Sequence, residues 1–405
     1  MLDSITLPRV RASLKFERKL QSAKLKSTVL LVATTTRWLG TARILRPLAA
    51  AGFGVALLTP EHSLAEASRY VGTVGHVASD ATPVQWMHAF AGMAKTLSPR
   101  LVVPCDDMAF RLLQMLALHP PEGLPPALML QLTVLIRNSL GDPAHYRTSV
   151  EKALLSPAAA ALGVRVPAHE VVATLADAEA FAAAHGYPVV LKRNHSTAGD
   201  GVEIVDTHEQ LAASFAALTR PGQSALVDPL GTLLLIQERI PGDIHYENTA
   251  AWQGTRIGGF AVERLRYAEL KGPAAVIRCY HSAEIGEFSS KLVRAFGMTG
   301  LFASEFVVHR DTGEAYLLEI NRRLTPGMHV GTRVNVDLCA ALYSAAHGTA
   351  STTRREMDPG DEWINVHFPQ EWLRDPESPY LRDYPVDVPW DEPGLIKAML
   401  AMRHG

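Results

Sequence analysis

The segment that most restricts this chain runs from Ser304 to Arg323. Ser304-Glu305-Phe306 and Leu317-Leu318-Glu319-Ile320-Asn321-Arg322-Arg323 flank a turn at Asp311-Thr312-Gly313. Two apolar runs joined by a glycine-containing turn predict a β-hairpin. Alternation along the second strand sets Glu319, Asn321 and Arg323 on one face, and Glu305 reaches the same neighbourhood from the first strand. Two carboxylates and an amide oxygen on adjacent strands form a hard-oxygen site suited to a divalent cation that carries phosphates. Arg323 follows closely enough to neutralise charge that develops on a transferred group.

A phosphate site also needs cations and a close approach of backbone. Pro188 to Lys192 reads as a short apolar strand that ends in lysine, followed by the small-residue loop His195-Ser196-Thr197-Ala198-Gly199-Asp200-Gly201 and a second strand, Val202 to Val205. Such a loop brings N–H groups near phosphate oxygens, and Lys192 adds a point charge at its mouth. Lys152 lies in a stretch read as one helix opened by Asp142-Pro143. Leu233 to Gln237 is an apolar strand leading into Glu238-Arg239-Ile240-Pro241-Gly242, an extended segment able to meet a flat ring.

The ordered set Lys152, Lys192, glycine loop, Gln237-Glu238-x-Ile240-Pro241-Gly242, Glu305 and Glu319-x-Asn321-x-Arg323 resembles the ATP-grasp superfamily. The likeness is to its carboxylate–amine ligases and carbamoyl-phosphate-synthase-like members, and it spans roughly residues 28 to 335. The resemblance implies an N-terminal open parallel α/β domain followed by a two-lobed ATP-grasp fold. It implies ATP with Mg²⁺ (Mn²⁺ as a substitute), a small carboxylate and an amine as substrates, and a homodimer. By position, Lys152 and Lys192 correspond to the phosphate lysines. Ser196, Gly199 and Gly201 correspond to the loop, Glu238 and Ile240 to the adenine hinge, and His245 to a ribose-facing residue. Glu305, Glu319 and Asn321 correspond to the metal ligands, with Arg323 and Lys192 as the catalytic cations; Arg278 and His329 are candidate substrate contacts. Three positions depart from the usual pattern: Ala198 in the loop, Asp200 beside the phosphates, and Arg322 between asparagine and arginine, expected on the surface or facing substrate. An ATP-dependent carboxylase and a nucleotide-binding regulator without turnover are the alternatives.

The remaining chain is read as support for that site. Strands at 29–33, 55–58, 71–77 and 101–104 alternate with helices at 42–51, 84–97 and 109–118, which predicts a parallel sheet with helices on both faces. The loop after the first strand, Thr34 to Gly40, lacks GxGxxG, so a dinucleotide fingerprint is absent. Asp106 and Asp107 read as the start of a helix. A Pro-rich stretch from His119 to Pro126 suggests boundaries at 1–125, 126–230 and 231–405. Residues 369–393, with Trp372 and Trp390, read as an extended surface segment pinned by aromatics. Net charge of −2 argues against a general nucleic-acid binder. Cys105, Cys279 and Cys339 are scattered without a metal or disulfide pattern, consistent with a reducing cytoplasm. No apolar run reaches membrane-spanning length, and no secretory signal is read at Met1 to Lys26.

Overall fold

The computed structural model describes residues 27–194, 201–220, 233–268 and 273–402. Four short apolar strands, β1 (Thr28–Val32), β2 (Gly54–Pro60), β3 (Val71–Val77) and β4 (Leu101–Pro104), form a parallel sheet in the order β3-β2-β1-β4. Helices α1 (Leu39–Ala51) and α2 (Pro83–Leu97) and a 3-10 turn at Leu64–Ala67 supply the crossovers, and α3 (Asp107–Leu118) follows β4. The next helix, α4 (Pro126–Leu140), was expected to open the second lobe. Instead Leu132, Ile136 and Leu140 are buried with Val102, Phe110 and Leu113, so α4 belongs to the outer face of the first sheet.

Asp142-Pro143 does not start the helix that bears Lys152. Asp142 caps a single 3-10 turn, Pro143–His145, and Lys152 begins a separate helix, α5 (Lys152–Ala161). A small antiparallel lobe follows, with β5 (His169–Val172), β6 (Val189–Arg193), β7 (Val202–Val205) and β8 (Leu234–Glu238) in the order β5-β8-β6-β7. Helices α6 (Leu175–His185) and α7 (His208–Thr219) cover one face, burying Phe181, Leu191, Leu211 and Ile236.

The third unit is a six-stranded antiparallel sheet of β9 (Gly242–Trp252), β10 (Thr255–Tyr267), β11 (Ala274–Tyr280), β12 (Gly300–His309), β13 (Ala315–Asn321) and β14 (Glu362–Val366), in the order β13-β12-β9-β10-β11-β14. Helix α8 (Ala283–Ala295) packs on one face through Ile285, Phe288 and Leu292, against Ala261 and Phe306. The other face carries Tyr246, Phe260 and Ile277 into one continuous core with α1, the first sheet and α9 (Leu338–His347).

Beyond β14 the chain is not simply extended. It forms short helices at Gln370–Arg374 and Pro379–Asp383 and a last helix at Pro393–Ala401, whose Leu395 and Met399 enter the core beside α1. Trp390 is 79% exposed, so it pins nothing. Asp387 holds the segment instead, accepting from Phe368 N (2.6 Å) and from Asn365 Nδ2 (3.1 Å). The three cysteines are free and buried. Among the described residues, no helix is long and apolar enough to cross a membrane.

Candidate nucleotide and metal site

The predicted hairpin forms, with Glu305 and Glu319 directly opposed across β12 and β13 and Ala303 opposite Asn321. Gly313 closes the turn at φ 73°, a conformation glycine adopts without strain. Both carboxylates lie at one end of a 490 Å³ cavity between the small lobe and the large sheet, within the usual size of a small-molecule site. Val190, Ile204, Ile240, Ile244, Val307 and Leu318 give that cavity apolar walls, and Lys152 and Lys192 complete its charged end.

The lysines arrive by different routes. Lys192 sits on β6, buried, and faces the cavity. Lys152 is the first residue of α5 and places its Nζ 3.1 Å from Glu319 Oε2. Burial pushes the Lys192 ammonium down to about 8, with Lys152 adding repulsion and Glu319 and Glu305 opposing both. For Glu319, burial pushes the carboxyl up, but Lys152 and Lys192 outweigh it and hold the group at about 2. Glu305 goes the other way, because burial raises it more than its neighbours lower it. Its ion-pair partner is Arg264 of β10, which the sequence reading did not single out. Arg264 also stands 5.4 Å from the Tyr246 ring centroid.

Arg323 reaches the same group of charges and contributes to the field on both glutamates. It is held from the N-terminal domain: Nε donates to Asp107 Oδ2 at 2.9 Å, and the guanidinium lies 5.0 Å from the Trp38 ring centroid. Trp38 Nε1 in turn donates to Leu324 O at 2.9 Å. Asp106 caps α3 and also accepts from the N–H groups of Thr34 (2.7 Å) and Thr35 (3.0 Å), fixing the loop that carries Trp38.

Several expected contacts are not brought to this cavity. His245 follows Ile244, and strand alternation turns it to the opposite face of the sheet, where its Nδ1 meets Tyr280 Oη at 2.8 Å. Arg278 shares that face through the Glu263 register and is taken up by Glu263 and Glu362. His329 lies in a buried knot, with Nε2 2.8 Å from Asp387 Oδ2 and 3.1 Å from Arg43 Nη2. His329, His367 and Asp387 are close enough to share a cation, but the Arg43 guanidinium already supplies that charge. The side chain of Glu238 points to solvent, whereas Gln237 and Ile240 line the cavity. Arg322 is neither surface nor substrate-facing: it is buried, 5.1 Å from the Phe110 ring centroid and 5.5 Å from that of Phe302, and it donates to Ser149 Oγ at 3.0 Å. Ser196 and Gly199 lie outside the described residues, as do Ala198 and Asp200. Gly201, at φ 79°, accepts from Arg193 N at 2.9 Å.

Glu305, Glu319 and Asn321 offer the all-oxygen donor set that Mg²⁺ prefers. Two half-buried carboxylates opposed on neighbouring strands repel one another, which a dication between them would relieve, so these residues fit the ion. The four cations Lys152, Lys192, Arg264 and Arg323 gather around these two carboxylates beside an apolar slot, an arrangement that favours a polyanion with a flat apolar end.

A two-lobed cleft of this topology behind a parallel α/β domain is the ATP-grasp fold, and the chain carries it. Residues 151–249 match the family described as carbamoyl-phosphate synthase L chain, ATP binding domain. The arginine-specific carbamoyl phosphate synthase large chain of Geobacillus stearothermophilus is 24% identical over 254 residues, 58% of this chain and 23% of that protein. The formate-dependent phosphoribosylglycinamide formyltransferase of Synechococcus elongatus is 30% identical over 162 residues, 38% of this chain and 39% of that one. The chain thus spans well under half the length of these relatives. Among solved structures, the biotin carboxylase domain of Hydrogenobacter thermophilus 2-oxoglutarate carboxylase superposes with a TM-score of 0.64 at 15% identity, covering 84% of this chain and 74% of that one. The N5-carboxyaminoimidazole synthetase of Staphylococcus aureus gives 0.60 at 12% identity, covering 86% and 83%.

Proposed function

We propose that the protein is an ATP- and Mg²⁺-dependent ligase that activates a small carboxylate and joins it to an amine. The observation that carries this reading is the cationic, carboxylate-bearing end of an apolar cavity of nucleotide size. In that reaction a substrate carboxylate oxygen bonds to the γ-phosphorus of ATP as the bond to the β-phosphate oxygen breaks, and ADP leaves. The amine nitrogen then bonds to the acyl carbon, phosphate departs, and the amine gives up a proton to solvent. Glu305, Glu319 and Asn321 would hold Mg²⁺, which would supply charge neutralisation for the phosphates. Lys152 and Lys192 hold phosphate oxygens, and Arg323, fixed by Asp107 and Trp38, balances charge at the transferred group. Ile240 and the walls beside it take the adenine.

The structural relatives supply a second reading, in which bicarbonate is the activated acid: the Hydrogenobacter domain was crystallised with MgADP and bicarbonate. Release of ADP and phosphate from MgATP, measured with bicarbonate, formate and pooled carboxylic and amino acids, separates the two. Release that needs an organic acid supports the ligase, and release with bicarbonate alone supports the carboxylase. AMP in place of ADP, or nucleotide binding without release in any pool, overturns both.

The depressed Lys192 ammonium gives this reading a pH signature. Only the charged lysine attracts phosphate, and its charge is lost as pH rises through about 8. Affinity for metal-free ADP, its terminal phosphate by then fully ionised, is therefore expected to fall by up to about tenfold per unit above pH 8, as expected for loss of one proton-linked contact. Calorimetric titration at several pH values checks it, and Lys192→Met should flatten the upper limb.

A further inference from the structure

The two lysines belong to different elements and repel one another, so something must hold them on one target. Helix α5 begins at Lys152 without a side-chain cap of its own, because Glu151 at the N-cap makes no such bond. The N–H of Ala153, one of the first-turn donors with no partner inside a helix, donates to Asn194 Oδ1 at 3.0 Å. Asn194 lies two residues beyond Lys192, just past the end of β6, and extended-chain alternation puts both on one side. Its other amide atom is also engaged: Nδ2 donates to Glu151 Oε2 at 3.4 Å, and Glu151 is paired with Arg147. Asn194 is 2% exposed, and Glu151 and Lys152 are 4% exposed each. The amide therefore caps a helix in trans and clasps the strand of one lysine to the helix start of the other. A surface asparagine has no need of such an environment, and a buried amide with both ends satisfied fixes geometry on two sides.

We propose that Asn194 is a positioning residue that sets Lys152 against Lys192 so that both meet the phosphates of one nucleotide. The inference rests on the reading of these lysines as phosphate ligands. Pinning Ala153 N fixes the backbone from which Lys152 extends to Glu319, and β6 fixes Lys192. Loss of the clasp should therefore be felt by the phosphates and not by the adenosine end, which rests on Ile240 and the apolar walls.

The test is calorimetric titration of the full chain with ADP and, separately, adenosine. Asn194→Leu, close in size but without polar atoms, is expected to weaken ADP by about tenfold and to leave adenosine within twofold. Because Asn194 acts through Lys152, a double-mutant cycle should be non-additive: Lys152→Met weakens ADP, and adding Asn194→Leu to it weakens ADP no further. Asn194→Ala should give the same pattern and serves should leucine disturb folding. Equal losses for ADP and adenosine, additive losses in the cycle, or unchanged ADP affinity would overturn the proposal. If the wild-type chain binds ADP and Lys152→Met weakens it while Asn194→Leu does not, only the clasp fails. If the wild type binds no ADP, the nucleotide reading itself fails.

Discussion

Glu319→Gln is expected to lose MgATP turnover by about a thousandfold, the upper range for removing one electrostatic partner from a catalytic site, and yet to bind metal-free ADP more tightly than the wild type. The opposite signs follow from what Glu319 does in each state. Without a metal it is a carboxylate held ionised, at about 2, by Lys152 and Lys192, and its Oε2 sits 3.1 Å from the Lys152 ammonium that the proposed function assigns to the phosphates. An incoming phosphate competes with it and is repelled by it. Glutamine keeps the shape and removes the charge, which frees both lysines.

On the proposed reading the same carboxylate would be a Mg²⁺ ligand, and its loss would leave Glu305, already committed to Arg264, and Asn321 as a poor donor set. The ratio of ADP affinities with and without Mg²⁺ should therefore invert in the variant. Titrations of wild type and variant in both conditions, beside ADP-release assays, decide it. Equal weakening in both conditions would reduce Glu319 to a structural partner of Lys152, and undiminished turnover would remove it from the metal site.

What the chain discloses in advance follows the range of the interactions. The hairpin of Glu305 and Glu319 is legible because its signals are local: alternating apolar residues, a glycine turn, and a register that the turn sets. The lysine strand and the βα units are legible for the same reason. Arg264 is not, because it reaches Glu305 across the intervening strand β9, whose boundaries were not assigned. The signal was present: Gln253 (φ 48°) and Gly254 (φ 76°) form a two-residue turn between β9 and β10, the backbone type tight hairpins require. Without that turn the parity of the strands cannot be counted, so the sequence does not disclose that His245 and Arg278 turn away from the cavity.

Asp107 and Trp38 lie 216 and 286 positions from the residues they hold. Their role depends on how the first domain docks, and no periodicity carries that. Arg322 shows the limit from the other side. An arginine in place of proline reads as surface until Phe110 and Phe302 enclose it, and burial then draws its guanidinium down to about 10.

Docking of that kind makes backbone clearance at the hinge as decisive as any charge, and Gly242→Ala tests this. Gly242 begins β9 immediately after the hinge, lines the cavity, and pairs with His309 at the end of β12. A Cβ there would lie 2.0 Å from Val308 O and 2.7 Å from Val308 C, both backbone atoms that cannot turn aside. The strands must separate, at a cost of about 3 kcal/mol, the upper part of the usual range for overpacking. Because β12 carries Glu305, the same displacement should weaken MgADP by more than about tenfold.

Gly92→Ala provides the comparison. It lies exposed in α2 with nothing within 4 Å of the added carbon, and relief of glycine's chain entropy should stabilise by about 0.5–1 kcal/mol. Denaturant and thermal unfolding of the pair should move in opposite directions. If Gly242→Ala unfolds with the wild type, the hinge tolerates separation of β9 from β12, and Glu305 owes its place to Arg264 rather than to the strand that carries it.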